Sequence, residues 1–350
     1  MRDHLRVHVF FDESGDYAFP PNRFDCYVQA AVVCPESALE GAEGFVRDRC
    51  VEWDLEELHA YRLSAQQLLE IAEFLADMPI ELCVQLTDTV LTTTEVIRSC
   101  RLDQAAAYQR SIDNYRRSGG RDPRVIANLQ AQIKKAGLAS QIAHGEFVQA
   151  TLLVDGAVQA IQRALYAYGA DDWRDAFREF RFIVDGKLSG KKSAGEKYLS
   201  TMIVDLIAAP SRHRFDYRPG WHDDPVHPWV DRFCANGNVK LDPLFEHGLQ
   251  STASQKQPGL QLADAVAFVV RSAVVSPTEE IMRSYHLLCR RLADRKGSCF
   301  IVARLPSSTK GCSALAPIPA DRQRGGPRRA RRTRALTWAV SGCSRQLGVL

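Results

Sequence analysis

The chain has 350 residues, 45% of them hydrophobic and 25% charged, with a formal net charge of +3. That length can bury a sizeable core, the composition is that of an ordinary soluble protein, and no apolar run reaches the roughly 18 residues of a membrane span. The charge is uneven: residues 321–350 hold eight Arg and one acidic residue, so the tail carries +7 and the body about −4, which does not by itself point to nucleic acid.

In chain order, residues 5–12 and 24–33 read as the two strands of a hairpin with a Gly/Pro/Asn-rich turn, Val28, Ala30 and Val32 keeping a period of two. Residues 37–52 read as a helix opened by Ser37. A stronger helix, 64–77, has Ser64 as N-cap and Leu68, Ile71 and Leu75 on one face. Ile80, Leu82, Val84 and Leu86 alternate, which predicts a third strand over 80–87. Residues 94–168 read as helical, broken near Gly119-Gly120 and Gly137, and are expected to form an insertion. A fourth strand, 179–185, runs into Asp185-Gly186-Lys187, and 194–208 is helical again.

A Pro/Gly/His/Asp-rich loop at about 211–228 precedes a short strand within 238–250. Residues 258–275 form an apolar helix with Pro258 in its first turn. An amphipathic helix, 277–295, starts at Ser276-Pro277, and Phe300-Ile301-Val302 is a last strand. Beyond about 305 Pro, Ser, Gly and Arg dominate, which predicts a disordered tail over 305–350 behind a domain at 1–304. The N-terminus has no signal-peptide pattern, which favours the cytoplasm. The ten cysteines form no CxxC pair and read as small buried hydrophobes of a reducing compartment, not as a zinc site.

Asp12-Glu13-Ser14-Gly15-Asp16 directly follows the apolar run Val7-His8-Val9-Phe10-Phe11. Asp185 follows Phe182-Ile183-Val184, and Asp264 sits inside the apolar stretch Leu260 to Val270. A buried carboxylate is costly unless paired, hydrogen-bonded or metal-bound, so three such positions suggest one acidic site assembled by the fold. Carboxylate oxygens are hard ligands that suit Mg or Mn, and such a cluster serves phosphodiester hydrolysis. Strand alternation puts Asp12 with Phe10 and His8, and Glu13 with Phe11 and Val9, so Asp12 ranks first as a ligand. Gln261 lies three residues before Asp264 on one helix face, placed to orient it or to meet substrate. The bland readings are a turn-initiating Asp12, an Asp-Gly turn at Asp185, a surface amide at Gln261 and a buried Arg partner for Asp264.

Phe11-Asp12-Glu13-Ser14-Gly15 near the N-terminus and Gly259-Leu260-Gln261-Leu262-Ala263-Asp264 near the C-terminus resemble the bacterial family catalogued as domain of unknown function 3800. Its two hallmarks, an Asp-Glu pair and a later Gln-x-x-Ala-Asp, stand here in the same order, and the resemblance spans about residues 5–275. It implies a ribonuclease H-like mixed sheet with flanking helices and metal-dependent nuclease chemistry. By motif, Asp12, Glu13 and Asp264 are the family positions. Asp185 matches the acidic position on the fourth strand of such sheets, and Ser251 or Ser254 matches a serine before the last helix.

Weaker signals surround these. The loop from Gly186 to Ser193 lacks phosphate-loop spacing and reads as a solvated connection, or as phosphate contacts through Lys187. Glu196 is a favourable first-turn acid or a fourth ligand. His213, His222, Asp223, Asp224 and His227 would suit a zinc hydrolase, without a recognisable spacing. Glu57-Leu58-His59 places His59 near the site or makes it an ordinary surface or core histidine. Residues 322–334 serve as a nucleic-acid arm or have no selected role.

The leading expectation is a nuclease with Asp12, Asp185 and Asp264 on Mg or Mn and Glu13 as ligand or base. Around them stand Ser14, Gln261, Lys187 and Glu196, facing a nucleic acid of unspecified type. The alternative is a catalytically inactive interaction protein of a defence or mobile-element system on the same fold.

Overall fold

The computed structural model describes residues 5–19, 26–89, 92–119, 121–137, 141–168, 177–186, 234–235, 238–239, 247–293 and 300–302. The apolar runs predicted as a hairpin form β1 (Leu5–Ser14) and β2 (Cys26–Pro35), paired antiparallel from Val7↔Pro35 to Ser14↔Val28. Every residue of β2 is buried, because helices cover both faces of the sheet at its centre.

β2 runs straight into α1 (Glu36–Glu52), and Pro35 occupies the N-cap position without a side-chain cap. Ser37 is the second residue inside the helix, so it does not open it as its type suggested. In α2 (Ala65–Asp77) the predicted cap is present: Ser64 Oγ accepts the Gln67 N–H and Gln67 Oε1 accepts the Ser64 N–H, a reciprocal capping box. β3 (Glu81–Asp88) pairs antiparallel with β2.

The helical region resolves into α3 (Thr94–Arg117), α4 (Pro123–Gly137) and α5 (His144–Tyr168), interrupted at the predicted glycines. α3 and α4 pack chiefly on each other. Within the segment expected to be an insertion, α5 packs on β2 and β3, with Ala157, Ala160, Ile161 and Ala164 fully buried. Its small residues let a helix lie close to the sheet.

β4 (Phe177–Asp185) ends at Asp185. A two-residue ribbon, β5 (Cys234–Ala235) and β6 (Asn238–Val239), precedes β7 (Leu249–Thr252). The apolar helix is α6 (Pro258–Val275) and the amphipathic one α7 (Glu279–Ala293), with β8 (Phe300–Val302) after it. The Thr278 hydroxyl accepts the Ile281 N–H, so Thr278 rather than Ser276 caps α7. By length and composition α6 is apolar enough to cross a membrane, but it is mostly buried inside this fold, against β1 and β2.

The main sheet is open and mixed, in the order β7-β4-β1-β2-β3-β8. β1, β2 and β3 are antiparallel neighbours, whereas β4 is parallel to β1, β7 to β4 and β8 to β3. α6 lies on the Phe10 face and α5 on the Phe11 face, giving a helix–sheet–helix α/β architecture. Cys26, Cys34, Cys83 and Cys289 are buried among these layers, and no disulfide occurs among the described residues. The expected helix at 194–208, the loop at 211–228 and the tail from 305 lie outside the described residues.

Candidate active site

The site lies where β1 and β4 end side by side. Phe10↔Ile183 and Phe11↔Val184 are in parallel register, so the next pair along the two strands is Asp12 and Asp185. Neighbours in register point to one side of a sheet, which puts both carboxylates on the Phe10 face. Gly15 then takes φ +122°, a backbone state that L side chains rarely adopt, and a Cβ there would lie 2.7 Å from the Tyr27 ring. β1 therefore leaves the sheet just past the acidic pair.

α6 closes the Phe10 face. Gly259 in its first turn presses on Phe10, where a Cβ would stand 2.3 Å from ring carbon Cδ2. That close approach lets the same helix bring Gln261 and Asp264 to the strand ends. Asp264 is half-buried although its helix neighbours are almost all buried.

A chain of hydrogen bonds ties the carboxylates to two loops. The Ala60 N–H donates to Asp264 Oδ2 at 2.8 Å, and the Leu58 N–H donates to Gln261 Oε1 at 2.9 Å. Gln261 Nε2 donates to the Ser254 carbonyl at 3.1 Å, and the Ser254 N–H donates to Asp185 Oδ1 at 3.1 Å. Gln261 is thus a buried clamp between the loop after α1 and the turn before α6, not a surface amide. Of the two serines before α6, Ser254 contributes its backbone N–H and carbonyl to these bonds, while Ser251 pairs with Val184 in the sheet.

The clamp brings in two side chains that ranked low in the sequence. Leu58 and Ala60 are buried, so Glu57 and His59 flank them, with His59 Nε2 3.3 Å from Glu57 Oε2. Glu57 is buried, and its Oε1 has no hydrogen-bond partner. The detectable signal was the alternation Glu57-Leu58-His59-Ala60, polar and apolar in turn.

The electrostatics are those of crowded acids. Burial, then the charges of Glu13 and Asp264, push the Asp12 carboxyl well above its usual range. Burial raises Asp264 to about 6, against the opposing Ala60 N–H and His59. Burial likewise raises Asp185, opposed by the Ser254 N–H. Asp264 and Asp185 both raise Asp12, and Asp185 raises Asp264, whereas the charge that raises Asp185 itself is that of Glu57. None of the three forms an ion pair with a Lys or Arg among the described residues, so the buried-Arg explanation of Asp264 does not hold.

The carboxyls of Asp12, Asp185 and Asp264 and the unpartnered buried Glu57 oxygen are hard oxygen donors, the ligand type that Mg or Mn takes. Among the described residues no group of three His, Cys, Asp or Glu side chains is placed so that it could hold a metal ion.

Glu13 turns to the opposite, α5 face. Its Oε1 accepts from Gln149 Nε2, and its neighbours across the strands are Gln29 and then Gln85. Gln29 Nε2 donates to the Asp12 carbonyl at 3.0 Å, and Gln85 Nε2 to Gln159 Oε1 at 3.0 Å. This polar row behind the site was signalled only by single glutamines within apolar strands. Ser14 is buried at the end of β1. Lys187, Glu196, the His213 to His227 cluster and residues 322–334 lie outside the described residues.

No family model, curated protein or solved structure matches this chain.

Proposed function

We propose that this chain is a metal-dependent nuclease that hydrolyses phosphodiester bonds, with Asp12, Asp185 and Asp264 as the ligands of Mg or Mn. The observation that carries this is that burial raises the carboxyls of three aspartates from β1, β4 and α6, with Asp185 and Asp264 both adding to the rise of Asp12, without a Lys or Arg ion pair among the described residues. A ribonuclease H-like assignment is supported by the sheet, in which an antiparallel β1-β2-β3 meander continues through β4 parallel to β1. The resemblance to the domain of unknown function 3800 gains support from the proximity of its two motifs, Asp12-Glu13 and Gln261-x-x-Ala-Asp264.

A bound divalent cation would lower the pKa of an attacking water and stabilise charge on the phosphoryl oxygens. The chain's own groups do the rest. Ala60 N–H and Ser254 N–H each fix one carboxylate oxygen, and Asp12, Asp185 and Asp264 would hold the cation. Glu13 stands behind Asp12 as a charge that raises its affinity for a cation, in place of the direct ligand its motif position suggested. Glu57 and His59 border the site 3.3 Å apart, and the half-buried His59 imidazole is the candidate general acid for a leaving oxygen.

A panel of DNA and RNA substrates, with and without EDTA, tests this. Cleavage by the wild-type protein is expected to need Mg or Mn and to vanish in Asp12→Ala and Asp264→Ala. Cleavage retained in Asp264→Ala removes the assignment. Failure of the wild type to bind magnesium in calorimetry would leave a non-catalytic interaction protein.

A further inference from the structure

Val51, Tyr61 and Leu102 are the strongly exposed large apolar side chains among the described residues. Tyr61 alone belongs to the loop that carries the acidic site. Its side chain is 65% exposed, one residue past the Ala60 N–H that holds Asp264. The His59 ring lies 5.7 Å away, centroid to centroid. The Arg62 guanidinium carbon is 5.2 Å from the Tyr61 centroid, and Arg62 Nε donates to Tyr61 Oη at 2.8 Å.

The backbone beneath is stiff. Leu58, Ala60 and Leu63 are buried, and the Arg62 and Leu63 N–H groups close a 3-10 turn on the carbonyls of His59 and Ala60. An aromatic ring kept in water on so rigid a support, with a guanidinium beside it, costs little ordering when a flat ligand lands on it. Unpaired bases are such ligands: each has a π-face, and each is joined to a phosphate that an arginine can meet. Bases inside a duplex have their faces covered by the stack and cannot use the ring.

We propose that Tyr61, with Arg62 and His59, forms a binding subsite for single-stranded nucleic acid, a base stacked on Tyr61 and a phosphate against Arg62. The subsite rests on the nuclease reading only for the cleavage that follows binding, since stacking itself needs no metal.

Fluorescence anisotropy with a labelled twelve-nucleotide oligothymidine, in EDTA and again in calcium, tests it on the full chain. Tyr61→Ala is expected to weaken binding by about 5- to 150-fold, the range for losing one stacked base. Tyr61→Phe keeps the ring and is expected to stay within about twofold of wild type, on the same stacking argument. A blunt duplex of equal length is expected to bind more weakly and to ignore Tyr61→Ala. Wild-type affinity in Tyr61→Ala, equal sensitivity of the duplex, or no binding of oligothymidine by the wild type in either buffer overturns the subsite. Magnesium calorimetry on the wild type judges the nuclease reading separately: absent magnesium binding sinks that reading and leaves the anisotropy result standing.

Discussion

Gln261 Oε1 accepts the Leu58 backbone N–H at 2.9 Å, joining residues 203 positions apart through a side chain that is 4% exposed. The same amide donates to the Ser254 carbonyl, so one side chain fixes both loops that hold the carboxylates. Gln261→Ala is expected to leave the buried Leu58 N–H unsatisfied, while the Ser254 carbonyl keeps the Gln257 N–H, and to cost about 1–3 kcal/mol. Urea denaturation at pH 7 checks this. A variant as stable as wild type would mean that the loops are held by other contacts.

The raised Asp264 pKa has a definite sign in stability. Its folded value of about 6 exceeds the ordinary 3.8, so the native state binds this proton more tightly than the unfolded chain. Stability from the group is full below pH 3.8 and is lost as pH rises through about 6. Asp264→Asn has no proton to lose, so the metal-free variant is expected to exceed wild type by about 1–3 kcal/mol at pH 8 and to match it near pH 4. Denaturation in EDTA at the two pH values measures the difference; an equal gap at both would show that Asp264 does not titrate abnormally.

A cation that uses these oxygens must displace the protons they retain. Magnesium affinity is therefore expected to rise with pH through the Asp264 midpoint of about 6, and to go on rising while the raised Asp12 carboxyl loses its proton. Calorimetry in two buffers of different ionisation enthalpy should detect proton release at pH 6 and less of it at pH 8. Affinity independent of pH would place the cation elsewhere.

Gly259→Ala would set a methyl group 2.3 Å from the Phe10 ring. Helix α6 would have to lift off β1, at a cost of about 1–3 kcal/mol from overpacking. Because Asp264 rides on that helix, metal affinity is expected to fall together with thermal stability. Phe10→Leu in the same chain opens room for the methyl, so the double variant is expected to lose less than the sum of the singles. Strict additivity would show that the contact is not the cause.

Much of the framework could be read from local spacing. The alternation of Ile80, Leu82, Val84 and Leu86 marked β3, and Ser64 with the apolar face of α2 marked a cap that is present with both of its hydrogen bonds. The apolar runs ending at Asp12 and Asp185, and the apolar helix around Asp264, singled out three carboxyls that burial raises, with Asp185 adding to the rise of both Asp12 and Asp264. Local rules failed where a neighbouring element took over. Ser37 does not cap α1 because β2 continues unbroken to Pro35, and α5 is a core layer because its small residues meet β2 and β3.

The amino-acid order alone determined which segments are strands and helices and which face of each is apolar, because periods of two and of 3.6 residues depend only on neighbours in the chain. Tertiary structure decided that Asp12 stands next to Asp185, that Glu13 faces α5, and that Glu57, His59 and Tyr61 border the same site. Those relations follow from parallel pairing of β1 with β4 and from the contact of Gly259 with Phe10. Such contacts join parts of the chain a hundred or more residues apart, and their geometry comes from packing whole faces together, which no local repeat encodes.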